Sequence, residues 1–126
     1  MNNTQSASGS NLSTVDRRAK RILISLGISS ISIGCDFIRV AIKETYLDPQ
    51  ITEYVSKTLY PRVTRLCGTR KISTVQRDML RAIEKPHSPS DLAAAEQYLG
   101  SGENVWSVKG IVDGIAHYLR REDGLE

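Results

Sequence analysis

The chain is expected to fold as an all-α bundle of six to seven helices that contains a helix-turn-helix. Apolar residues recur at three- and four-residue spacing along most of the 126 residues, the pattern of amphipathic helices. Ser and Thr at helix starts, Pro in first turns and Gly just past last turns punctuate those runs,. No stretch carries a strand signal, and nothing repeats internally.

The elements follow in order. Residues 1–13 are rich in Asn, Ser, Gln and Gly and lack periodicity, so a disordered polar tail is expected ahead of a domain at 14–126. Thr14 can cap a first helix with Ala19, Ile22, Leu23 and Leu26 on one face, ended by Gly27,. Ile28, Ile31 and Ile33 fall in a serine-rich connector, expected to be extended and partly buried. A second helix is predicted from about Asp36 to Tyr46, with Phe37, Ile38, Ala41, Ile42 and Thr45 along one side. Asp48-Pro49 opens a third, to about Thr58, and Pro61 suits the first turn of a fourth, where its missing N–H costs nothing,. The fifth begins at Ser73 and is closed by Lys85-Pro86,. Ser88-Pro89-Ser90-Asp91 starts a sixth that ends at Gly100. After a Gly/Ser loop, Ser107 caps the last helix, where Val108, Ile111, Val112, Ile115 and Leu119 form a stripe,.

Composition narrows the function classes. The chain is 40% hydrophobic with few aromatics, enough for one modest core of Leu, Ile, Val and Ala. No apolar run approaches the roughly 20 residues of a membrane span. Residues 1–14 lack the hydrophobic region of a signal peptide,, and a cytoplasmic protein is expected. Cys35 and Cys67 read as small buried side chains rather than a disulfide,.

Charge is uneven. From Lys57 to Lys85 there are eight Lys/Arg against two acids, a local +6 in a chain of +3 overall. A basic segment within an otherwise slightly acidic domain is a footprint for a polyanion. It coincides with two short helices joined by a turn around Gly68, the outline of a helix-turn-helix whose second helix can enter the major groove. Ser73-x-x-Gln76 has capping-box spacing,. At roughly 100° per residue, Val75, Met79, Ala82 and Ile83 share the core face and Arg77 points away from it. Arg81 and Glu84 lie near that outward stripe, with Thr74 and Leu80 on its flanks. Arg77 is therefore placed to reach a base edge, a guanine being the usual bidentate partner of arginine, and Gln76, Leu80 and Arg81 beside it complete the candidate base contacts. Arg62, Arg65, Arg70, Lys71, Ser73 and Thr74 are the candidate phosphate contacts.

Several landmarks carry a family resemblance: Leu26-Gly27-Ile28, Arg39 with Ala41-Ile42, Thr58-Leu59-Tyr60-Pro61, Ser73-x-Val75-x-Arg77 leading to Ala82-Ile83-Glu84, and the final helix. From about Ala19 to Leu119 the chain resembles the C-terminal DNA-binding effector domain of the stage-zero sporulation master response regulator of Firmicutes. The resemblance implies a six-helix bundle with a helix-turn-helix, two copies of which sit in tandem on promoter DNA. It implies that Arg77 reads a guanine and that Gln76 stands where the family has a glutamate. Leu80 replaces a second base-reading arginine, with Arg81 immediately after it, and Thr74 replaces another basic residue. The turn around Gly68 to Ile72 is one residue longer than in the family, and Pro86 shortens the recognition helix. Only the polar tail stands where the family has a phospho-acceptor receiver.

Other chemistry finds little footing. His87, in a Pro/Ser linker, reads as mobile, and His117 as a partly exposed helical side chain. With two scattered cysteines they give no metal-ligand spacing. Gly100-Ser101-Gly102 lacks the lysine of a phosphate loop,. No enzyme, metal or cofactor is expected. The reading is a sequence-specific DNA-binding transcription regulator. Its partners are double-stranded DNA, a second copy as a homodimer or tandem dimer on DNA, and RNA polymerase or a full-length regulator. The alternative is a protein–protein interaction module or antagonist, suggested by Leu80 beside Arg77.

Overall fold

The computed structural model describes residues 3–126 apart from Arg70 and Glu103, with side chains from Leu12 onward. Among the described residues all regular structure is helical: α1 (Asn3–Ser25), α2 (Ile33–Leu47), α3 (Tyr60–Leu66), α4 (Ile72–Ile83), α5 (Pro89–Leu99) and α6 (Val108–Glu122). The all-α expectation therefore stands. α2 is the central helix and packs against α1, α4 and α6. Its inward side buries Phe37, Ile38, Ala41, Ile42, Thr45 and Tyr46, and its Ser32 cap accepts the Cys35 N–H at 3.1 Å.

α1 begins at Asn3, ahead of the expected cap at Thr14, so helical backbone covers most of the segment read as a tail. The packed half is anchored by Val15, Ala19, Ile22, Leu23 and Leu26, all buried. Gly27, at φ +81°, ends it: the Gly27 N–H donates to the Ile24 carbonyl at 2.9 Å and the Ile28 N–H to that of Leu23 at 3.0 Å. That paired return is the glycine-dependent helix stop, and it turns Ile28 into the core. The rest of the connector corrects the expectation. Ile31 is 93% exposed, and Ile33 opens α2 on its solvent side.

The predicted third helix is not α-helical. Pro49–Tyr54 forms a 3-10 helix and Val55–Leu59 a π-helical turn that runs into α3. Ile51 and Thr52 must face inward at one end, and Leu59, Tyr60 and Val63 at the other. The tight turn followed by the wide one reconciles those two demands, so burial overrides helix regularity. Thr52 also donates to the Asp113 carboxylate at 2.7 Å, tying this segment to α6.

α5 and α6 follow their predicted signals. Ser88 and Asp91 form a reciprocal capping box, Ser107 accepts the Gly110 N–H, and the whole Val108, Ile111, Val112, Ile115, Leu119 stripe is buried. Polar pairs then close the bundle. Arg39 bonds Asp16, Arg18 bonds Asp123 at 3.0 Å, and the Tyr46 hydroxyl donates to Asp123 at 2.5 Å.

The Arg39 hydrogen bond holds the Asp16 carboxyl below its ordinary range, and Arg18, then Tyr46, do the same for Asp123. Asp91 is lowered chiefly by the Ser88 backbone N–H. A group whose folded pKa is depressed contributes stability above its unfolded value and loses it as pH falls through the folded one. The melting temperature is expected to hold from neutrality to about pH 5 and to fall below about pH 4. Thermal melts across that range check it; a flat profile down to about pH 2.5 would contradict the assignment.

Candidate nucleic-acid interface

α3 buries Tyr60, Val63 and Thr64 and leaves Arg65 and Leu66 in solvent. It ends as α1 does. Gly68 adopts φ +67°, its N–H donates to the Arg65 carbonyl at 3.3 Å, and the Thr69 N–H reaches that of Thr64 at 3.1 Å. A side chain at Gly68 would meet nothing within 4 Å. Glycine is required there for backbone conformation rather than for space. The chain re-enters helix at Ile72, and α4 packs on both α3 and α2.

α4 is two-faced, as its spacing predicts. Val75, Met79 and Ile83 are buried, with Ala82 half-buried against the core. Gln76, Arg77, Leu80 and Arg81 are all exposed on the other side. The start of the helix corrects the expectation, because Lys71 rather than Ser73 occupies the cap and provides no side-chain hydrogen bond. An extended residue before Ile72 places Ser73 and Thr74 inside the first turn, so the Ser73-x-x-Gln76 box does not form. Gln76 is thereby free of any capping duty. The first amides of an α-helix have no intrahelical acceptor; here the Thr74 N–H turns back to the Lys71 carbonyl at 3.2 Å, and among the described residues no side chain caps the end, which leaves the leading amides to an anion,.

Arg77 has 56% of its side chain exposed, and its Nε lies 3.5 Å from Oδ1 of Asp78, which is only 16% exposed. The carboxylate lies at the Nε edge of the guanidinium, and a guanidinium fork is the usual partner of a guanine edge. Leu80, 37% exposed, sits beside it.

The candidate phosphate residues divide. Lys71 and Thr74, with Gly68 and Thr69, line one open hollow at the amino end of α4. Ser73 and Arg65 are exposed. Arg70 lies outside the described residues. Arg62 is placed differently from the expectation: half-buried, it pairs with Glu44 at 3.4 Å and Asp48 at 3.9 Å, bracing α3 against α2. Its neutralising partners lie far upstream in the chain, where local charge counting does not reach. Sequence reasoning also passed over Leu66 and Ile72, two exposed apolar side chains at the ends of α3 and α4.

His87 is not the mobile linker side chain expected. It stacks on Trp106, ring centroids 3.6 Å apart at 16°, and its Nδ1 is buried without a partner among the described residues. His117 lies between Asp113, 3.3 Å from Nε2, and Glu126, 2.5 Å from Nδ1. Both cysteines are free, Cys35 buried and Cys67 half-buried, and burial pushes both thiols up,. Among the described residues no group of three or more His, Cys, Asp or Glu could hold a metal ion, and no helix is long and apolar enough to cross a membrane.

The family model described as "Sporulation initiation factor Spo0A C terminal" matches residues 19–110. That span takes in α2 to α5, most of the packed half of α1 and the start of α6. It includes every landmark on which the resemblance was drawn except the body of the last helix. No curated protein matches the chain.

Proposed function

We propose, from the premise that this chain belongs to the Spo0A C-terminal family, that it is a sequence-specific DNA-binding regulator of transcription and that α4 enters the major groove. The observation that carries the reading is the outward face of α4. Arg77 and Arg81 stand exposed on a helix whose amino end is uncapped and flanked by Lys71. In this reading Arg77 takes the edge of a guanine, with Arg81 and Gln76 beside it. Arg65, Lys71, Ser73, Thr74 and the open amides of α4 hold phosphates, and Arg70 adds charge to the same turn. Arg62 is assigned to bracing α3 instead, since Glu44 and Asp48 already neutralise it. A second copy in tandem would extend the site.

The test is a gel shift with duplexes enriched from a random library, run at two salt concentrations. Binding is expected to weaken steeply with salt, because each neutralised phosphate releases counterions. Lys71→Ala should weaken all duplexes alike and reduce the salt slope by about one. Failure to bind any duplex at low salt would refute the reading. Exposed Leu80 favours one alternative, an interaction module or antagonist that docks on RNA polymerase or a full-length regulator through this face. Salt-insensitive binding to such a protein, with no duplex binding, would establish it.

A further inference from the structure

Gly34, in the first turn of α2, is fully buried where that turn meets the middle of α4. A Cβ built on it would lie 2.1 Å from the Asp78 carbonyl oxygen, 2.8 Å from the Asp78 carbonyl carbon and 2.9 Å from the Ala82 Cβ. Its backbone is ordinary right-handed helix, without the positive φ of Gly27 or Gly68. Conformation alone would favour alanine here. Glycine is demanded purely by space, and the obstructing atoms are backbone and an alanine Cβ, none of which can swing aside as a flexible side chain can.

The Asp78 carbonyl belongs to the residue directly after Arg77 and one turn before Ala82. We propose that Gly34 is a positioning residue for base reading: its missing side chain lets α4 seat backbone-to-backbone on α2. That seat sets how far Arg77 and Arg81 project from the body of the protein. The consequence for DNA rests on the function proposed above; the seating itself does not. A carbon and a carbonyl oxygen approach no closer than about 3.3 Å. A Cβ at position 34 must therefore drive the two helices apart by about 1 Å. A bidentate contact holds only when its fork is placed within a fraction of that distance.

Gly110 supplies the control. A Cβ there would lie 2.3 Å from the Asn104 carbonyl oxygen and 2.7 Å from that of Val105. The obstruction is comparable, but it lies at the amino end of α6, and its atoms belong to Asn104 and Val105 rather than to α4. Gly34→Ala and Gly110→Ala are both expected to lower the melting temperature. Only Gly34→Ala is expected to reduce preference for the enriched duplex over a scrambled one, by roughly tenfold, while binding to the scrambled duplex holds. Ala82→Val wedges the same seat from the α4 side, and should produce a smaller loss in the same direction should Gly34→Ala fail to fold. Unchanged preference in Gly34→Ala, or an equal loss in Gly110→Ala, overturns the assignment.

If the unsubstituted chain binds no duplex, the DNA reading fails and amide chemical shifts judge the seating alone. Changes in Gly34→Ala that extend across Arg77 to Ala82 support it. Changes confined to the first turn of α2 overturn it.

Discussion

Arg77→Ala is expected to abolish preference at one base pair while leaving nonspecific binding and the fold intact. Arg77 is exposed, pairs with the neighbouring Asp78 and is not among the core residues. Its removal should shift stability by no more than about 0.5 kcal/mol, the usual range for a surface position. Discrimination at the contacted base pair should fall by roughly 1–3 kcal/mol, the worth of a bidentate arginine–guanine contact. The measurement is affinity for the enriched duplex and for its three single-base variants at each position, at one salt concentration. Preference should flatten at a single position and persist elsewhere. Preference unchanged everywhere would remove Arg77 from the reading face. An equal loss at all positions would make it a phosphate contact, and Arg81 the next candidate reader.

Arg77 could be singled out from sequence because helical periodicity is a local property. Val75, Met79 and Ile83 fix which way α4 faces, and everything opposite follows by geometry,. The caps at Ser88 and Ser107 and the stops at Gly27 and Gly68 were legible for the same reason, since each depends on residues within a few positions. What depended on distant partners was not legible. Arg62 carries charge in sequence, but in the fold it faces Glu44 and Asp48. His87 reads as a mobile linker side chain, yet in the fold Trp106 lies against it. The Pro49–Leu59 segment reads as one helix, yet inward demands from Ile51 and Leu59 distort it into two irregular turns. At Ser73 the spacing for a capping box was present, and the chain started the helix early enough to leave it unused. Gly34 gave no local sign at all, because its need for glycine comes from the Asp78 carbonyl on another helix.

Two adjacent residues of α4 should separate the scaffold from the reading face. Met79 is fully buried, while Leu80, one position on, is 37% exposed. Met79→Ala leaves a cavity where α4 meets the core and should cost roughly 2–5 kcal/mol. For a domain of this size that lowers the melting temperature on the order of 10 °C or more. Below the new transition the surviving folded molecules keep Arg77 and Arg81 outward, so base preference should persist with reduced active fraction. Leu80→Ala should instead cost less, on the order of 1 kcal/mol, since Leu80 is only partly covered and leaves no enclosed cavity,. Its effect belongs to whatever the face binds: reduced preference at a thymine if the methyl is contacted, or lost protein binding if the alternative partner is correct. Thermal melts and duplex binding on both variants decide the matter. A Met79→Ala chain that melts within a degree or two of the unsubstituted one would mean that α4 is not seated on the core through this face, and the outward assignment of Arg77 would fall with it.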